Sequence, residues 1–154
     1  MNIELIRKKR CKESIDGTLH IGGLRICDCA ENASTALPPG SYRIVRHFCR
    51  QQGRFVPVIV GSQASDDLPK FLEDRCALCP KLHSVTTNTN MPTLCPQFSQ
   101  GNGIHHRTDG AVILGTSIIP GCMKHTRKPY ESLMERIRKA SGRKTEIVLH
   151  ICAA

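Results

Sequence analysis

His106 and Cys122 stand sixteen positions apart in the stretch IHHRTDGAVILGTSIIPGCMK, which runs from residue 104 to residue 124. Gly121 precedes the cysteine and Met123-Lys124 follow it, so a turn of small residues presents a thiol. A presented thiol with an imidazole to take its proton is the minimum equipment for nucleophilic catalysis by cysteine. His105 is the immediate neighbour of His106. On a strand, neighbouring side chains point to opposite faces, so only one of the two imidazoles faces Cys122. The spacing favours His106 as the base and leaves His105 as a structural or solvent-facing group.

A second constellation is Cys76-x-x-Cys79-x-x-x-His83, with Cys95 downstream. A two-residue gap lets both thiolates of a knuckle reach one tetrahedral ion, and a later His or Cys can complete the shell. The expectation is no cofactor and incidental thiols in a variable loop, with a structural zinc held by Cys76, Cys79, His83 and Cys95 as the alternative. A redox couple lacks the thioredoxin-like βαβ pattern around it.

The elements that must position these groups are mostly strands. Ile3 to Arg7 is a short strand, Asp16-Gly17 signals a turn into TLHI, and Gly22-Gly23 signals a hairpin into LRICDCA. Pro38-Pro39-Gly40 turns the chain into SYRIVRHF, which alternates as a half-buried strand does. RFVPVIVG follows, with Pro57 marking an edge or a bulge. Residues 61–100 are polar and proline-punctuated, with one short helical patch around Leu68 to Leu72, and read as a long excursion within a single domain of residues 1–154. Order returns with GAVILG. Tyr130, Leu133, Met134 and Ile137 then recur at helical spacing, with Thr126 or a neighbour as cap, Pro129 in the first turn and Gly142 at the end. TEIVLHI closes the chain as a strand. This pattern implies an α+β class: strand-dominated mixed sheets, β-sandwich or barrel-like, with one main C-terminal helix.

At 154 residues the chain is long enough for its own core, and no apolar run approaches the roughly 18–20 residues that span a bilayer. The charges of MNIELIRKKRCKES come in the wrong order for a secretory signal, which places the chain in the cytoplasm, or in the envelope by an export or lysis route the sequence does not display. Its nine cysteines are an odd number, so they do not all pair within the chain. Cys27, Cys29 and Cys152 fall in strand patterns and read as small buried hydrophobes. The net charge of +9 is carried by Arg7-Lys8-Lys9-Arg10-Lys12 and by the span from Lys124 to Lys144. Nucleic acid is the usual partner of such a balance, but no Trp, two Tyr and four Phe are poor material for stacking bases.

His106-x-Thr108, six residues, Gly115, five residues and then Gly121-Cys122-Met123-Lys124 resembles the active-site signature of L,D-transpeptidases. That signature reads His-Gly-Thr, a downstream Gly, then Ser-His-Gly-Cys-Ile-Arg. The resemblance covers residues 104 to 151 and extends to the helix, turn and final strand that follow. LIRK, GTLHIGGLRICDCAE and LPPGSYRI also resemble a family of small uncharacterised domains of gut bacteroidetes and phages, which carry a Pro-x-Gly-x-Tyr-x-Val/Ile motif.

The first resemblance implies an L,D-transpeptidase-like fold and acyl transfer or hydrolysis on peptidoglycan stem peptides. Cys122 would be the nucleophile, with His106 or His105 as base. Backbone N–H groups at Gly121 and Cys122 would hold the oxyanion, and Thr108, Gly121 and Lys124 would contact the substrate. Arg107 stands where the signature has glycine, Ile119 and Pro120 replace the polar pair before Gly-Cys, and Lys124 replaces the arginine, losing its planar fork. These departures make a noncatalytic binding or phage-derived accessory domain the alternative reading. A zinc-stabilised nucleic-acid binder is the third.

Overall fold

Ile3, Leu5 and Arg7 are buried while the residues between them are more exposed, and this period of two carries the first strand, β1 (Asn2–Arg10). The structure is a computed structural model and describes residues 1–61, 68–77, 79, 95–105, 107 and 109–153. The chain reverses at Cys11–Ser14, where the Cys11 N–H donates to the Ser14 carbonyl at 2.8 Å. It returns antiparallel as β2 (Ser14–Ile21).

Asp16-Gly17 therefore lies inside a strand and is not the turn its composition suggests. Gly17 faces β1 at a bulge between Arg7 and Lys9, where a Cβ would come within 2.3 Å of the Ile6 carbonyl oxygen. The glycine serves close backbone approach, not chain reversal. Gly22 and Gly23, with φ of +58° and +82°, do form the expected two-residue turn into β3 (Leu24–Asn32).

β4 (Gly40–Cys49) and β5 (Arg54–Gly61) make a second hairpin, but it does not extend the first meander. The final strand, β9 (Val148–Cys152), inserts between them, antiparallel to β4 and parallel to β1. On the far side β3 pairs with β7 (Val112–Ile119), which takes β6 (Phe98–Ser99) in parallel and β8 (Cys122–Lys124) as a hairpin partner. The path β5-β4-β9-β1-β2-β3-β7-β6 curls into a half-barrel. Its two ends meet through a Val58–Gln97 bridge and a bond of 2.8 Å from the Ile59 N–H to the Pro96 carbonyl. Pro57 sits on β5, the strand at the end of that path, where a missing N–H is tolerated.

The C-terminal helix α2 (Arg127–Gly142) lays Tyr130, Leu133 and Ile137 into the sheet. Burying each such side chain contributes roughly 1.5–3 kcal/mol. Thr126 occupies the cap position, but its hydroxyl accepts the Gly101 N–H at 3.1 Å and does not close on the helix. The core joins Leu5, Leu19, Phe98, Leu114, Leu133 and Leu149, all essentially inaccessible to solvent. Helix α1 (Leu68–Ala77) runs beyond the short patch expected, and its Leu72 packs on Val56, Val58 and Val60. The observed architecture is strand-dominated α+β with a main C-terminal helix.

Two charge assignments change. Arg7 is no part of a surface cluster: its guanidinium is buried and makes two bonds of 2.9 Å to the buried Glu31 carboxylate and one of 2.6 Å to the Leu37 carbonyl. On α2, Arg127 pairs with Glu131, and Arg138 and Lys139 with Glu135, so part of that basic span is neutralised in place. Cys27 and Cys29 are buried as expected, whereas Cys152 is exposed because it lies at the outer end of β9. Among the described residues, no helix is long and apolar enough to cross a membrane.

Candidate functional site

The Cys122 thiol is presented by the β7–β8 hairpin. Gly121 turns the chain with φ of +80°, a conformation that disfavours a side chain, and a Cβ there would also crowd Ile104 at 3.0 Å. The loop of residues 101–105 lies along β8. The Ile104 N–H donates to the Gly121 carbonyl at 3.0 Å, the Met123 N–H donates to the Asn102 carbonyl at 2.9 Å, and Gly103 bridges Cys122. Gly103 permits that approach, because a Cβ on it would fall 2.7 Å from the Gly121 carbonyl oxygen. Ile104 is fully buried with Ala30, Ile113 and Met123, and this anchor fixes the residue that follows it.

That residue is His105. Its Nε2 lies 3.9 Å from the Cys122 Sγ, and its Nδ1 faces the Glu13 Oε2 at 3.6 Å. Glu13 comes from the β1–β2 turn, held in part by a bond of 3.0 Å from the Ala33 N–H to its carbonyl. The imidazole thus stands between thiol and carboxylate, Nε2 toward the sulfur and Nδ1 toward the carboxylate. Both separations exceed the 2.6–3.2 Å of tight hydrogen bonds. His105 is 44% exposed and Glu13 72%, while Cys122 is half-buried. His106 and Thr108 lie outside the described residues.

The Gly121 amide does not point to an open oxyanion site. It donates to the Asp16 Oδ1 at 3.1 Å. Burial raises the Asp16 carboxyl above its ordinary value, and the Gly121 bond opposes that rise. Lys124 is exposed at the end of β8, opposite Thr116. Arg107, where the signature has glycine, is engaged by Asp109 at 3.2 Å and by the Ser99 hydroxyl at 3.0 Å. A cavity of about 480 Å³ lies elsewhere, lined by Arg25, Cys27, Asp28, Gly115, His125 and Lys128 among others. Burial pushes the Cys27 thiol at its wall up to about 11, so that sulfur stays protonated at neutral pH.

The other cysteine group gathers differently from its spacing. Cys79 follows α1 in a turn closed by its N–H to the Cys76 carbonyl at 3.0 Å. Cys95 precedes β6, its N–H donating to the Asp109 carbonyl at 2.7 Å. Cys49, at the end of β4, joins Cys79 and Cys95 around one cavity of about 270 Å³. Burial raises the Cys76 thiol first, with Cys49 and Cys79 adding to the rise. Burial also raises Cys95, with Asp109, Cys49 and Cys76 contributing and Arg75 opposing. His47 Nε2 stands 3.1 Å from the Cys76 Sγ, and burial holds that imidazole below its ordinary value. Among the described residues, no group of three or more His, Cys, Asp or Glu side chains could hold a metal ion. His83 lies outside the described residues.

Searches of family models, curated proteins and solved structures give no match to this chain. The site therefore rests on its own geometry. Sequence reasoning missed Glu13, Cys49 and His47, which meet their neighbours only in the folded chain.

Proposed function

We propose that Cys122 is the nucleophile of a thiol acyl-transfer site of the L,D-transpeptidase kind, with His105 as its base and Glu13 orienting the imidazole. One observation carries this reading: His105 stands between the Cys122 sulfur and the Glu13 carboxylate, a different nitrogen toward each. In the reaction, the Cys122 thiol gives its proton to His105 Nε2 as sulfur attacks a peptide carbonyl. The tetrahedral intermediate collapses to a thioester, and the leaving amine takes the proton from His105. Water or an acceptor amine then cleaves the thioester and restores the thiol. The resemblance of the segment around Cys122 supports a peptidoglycan stem peptide as acyl donor, with Lys124 beside the site to meet a substrate carboxylate. Oxyanion donors must come from N–H groups other than that of Gly121.

That engaged amide favours a second reading, a noncatalytic binding domain in which Asp16 locks the hairpin that carries Cys122. Acylation by a β-lactam at neutral pH, read cysteine by cysteine by peptide mass spectrometry, separates the two. Acylation of Cys122 in preference to the exposed Cys152 supports the enzyme. Labelling that follows exposure alone supports the binding domain.

A further inference from the structure

We infer that the tip of the β4–β5 hairpin binds single-stranded nucleic acid, with Phe48 and Phe55 stacking on bases and Arg46, Arg50 and Arg54 meeting phosphates. The inference is independent of the Cys122 chemistry.

Composition argues against base stacking because aromatic residues are few, but their placement argues for it. Of the four phenylalanines, Phe98 is fully buried in the core, whereas Phe48 is 46% exposed and Phe55 42%. Those two pair directly across the hairpin and therefore share a face. Their rings meet edge to face, with centroids 5.3 Å apart. Arg46 lies two residues back on the same face of β4, and its guanidinium carbon stands 3.7 Å from the centre of the Phe55 ring. The rings are thus oriented by their neighbours before any ligand arrives, which lowers the entropy lost on binding.

The charge around these rings is of one sign. Residues 33–65 contain four arginines and no Asp or Glu. Arg50 and Arg54 flank the exposed turn Gln51-Gln52-Gly53, and both are exposed. Among the described residues, no carboxylate pairs with Arg46, Arg50 or Arg54, whereas Arg7, Arg107, Arg127 and Arg138 each have one. Arg54 donates to the Gln52 Oε1 at 3.2 and 3.1 Å, a neutral partner that leaves its charge in place.

The hairpin also reaches outward. β9 pairs with β4 only from Gly40 to Arg43, so the tip runs past the end of β9 as a two-stranded ribbon. A ligand that suits this ribbon carries regularly spaced anions and flat apolar faces, which describes an unpaired polynucleotide. A duplex would satisfy the arginines, but its bases stay stacked on one another and leave the two rings in water. An acidic peptide would match the charge and ignore the rings.

The test uses the whole chain under reducing conditions, titrated against fluorescent oligothymidylate and oligouridylate of about 16 nucleotides, a length that fills an ordinary single-strand site. Binding that falls steeply with salt is expected, and comparison of the two probes tells DNA from RNA as the preferred strand. Phe48→Ala and Phe55→Ala are each expected to weaken binding at least about fivefold. Arg50→Gln is expected to lower the log–log salt slope by about 0.7. The chain has no tryptophan, so Phe48→Trp places a single reporter on the platform, and its fluorescence is expected to be quenched by the oligonucleotide and not by heparin. That readout stands even if an alanine variant fails to fold. Absence of binding, tighter binding of a duplex of equal length, ring variants that bind like the parent, or a tryptophan that heparin quenches equally would each overturn the inference.

Discussion

His105 Nε2 and Cys122 Sγ lie 3.9 Å apart because the backbone of their two segments is joined on either side of the pair. The bonds Ile104 N–H to Gly121 carbonyl and Met123 N–H to Asn102 carbonyl hold the loop to β8. Buried Ile104 prevents the loop from sliding. The pairing is thus a property of the scaffold, and it can be loosened without touching either reactive group.

Gly103→Ala is expected to do this. Its Cβ would fall 2.7 Å from the Gly121 carbonyl oxygen, and backbone on backbone leaves no flexible tip to yield. Overpacking of this kind costs about 1–3 kcal/mol, and the loop is expected to move off β8. Thermal unfolding checks the stability loss, and slower alkylation of Cys122 checks the separation. A variant as stable and as reactive as the parent would show that the contact is easily relieved.

Glu13→Gln is expected to have a small effect on Cys122 reactivity, less than about fivefold. Ion pairs between exposed groups contribute about 0.2–1 kcal/mol, and Glu13 is 72% exposed. Its role is orientation. A loss of a hundredfold would assign it a stronger part than this geometry supports.

Glu31→Ala is expected to destabilise the fold by about 3–5 kcal/mol, since it leaves the buried Arg7 guanidinium, among the described residues, with the Leu37 carbonyl alone. Replacing Arg7 and Glu31 together by apolar residues of similar volume is expected to cost much less. Urea unfolding of both variants is the check, and a single-variant loss below about 1 kcal/mol contradicts a buried pair.

Asp16 carries a pH dependence of definite sign. Its folded carboxyl is raised above the ordinary 3.8, chiefly by burial. The stability it contributes is therefore fully present below 3.8 and is lost as pH rises through the folded value. Asp16→Asn keeps an oxygen for the Gly121 amide and cannot ionise. Its stability relative to the parent is expected to improve from pH 3 toward neutrality, read by unfolding at a series of pH values. A difference that stays flat, or runs the other way, contradicts the assignment.

Alternation made β3 and β4 legible, a continuous apolar run β7, and helical spacing the buried stripe of α2, because period and burial are local facts. Neighbour relations were not local. Nothing in TEIVLHI says that β9 runs parallel to β1 and parts the β4–β5 hairpin from the first meander. Asp16-Gly17 carries a strong turn signal, yet its glycine answers a bulge in the facing strand. Cysteine spacing singled out Cys76, Cys79 and Cys95 but not Cys49, which lines one cavity with Cys79 and Cys95 in the folded chain. The parity argument for His106 assumed a strand around it. His105 instead belongs to an irregular loop, where alternation gives no guide to direction.

The most direct test of the thiol site is the alkylation rate of Cys122 at neutral pH, resolved from the other cysteines, in the parent and in His105→Ala. General-base assistance predicts that the variant falls about 100-fold or more at Cys122, with Cys152 unchanged as the internal standard. Equal Cys122 rates in the two proteins would contradict the account and leave His105 a neighbour of the thiol without a part in its chemistry.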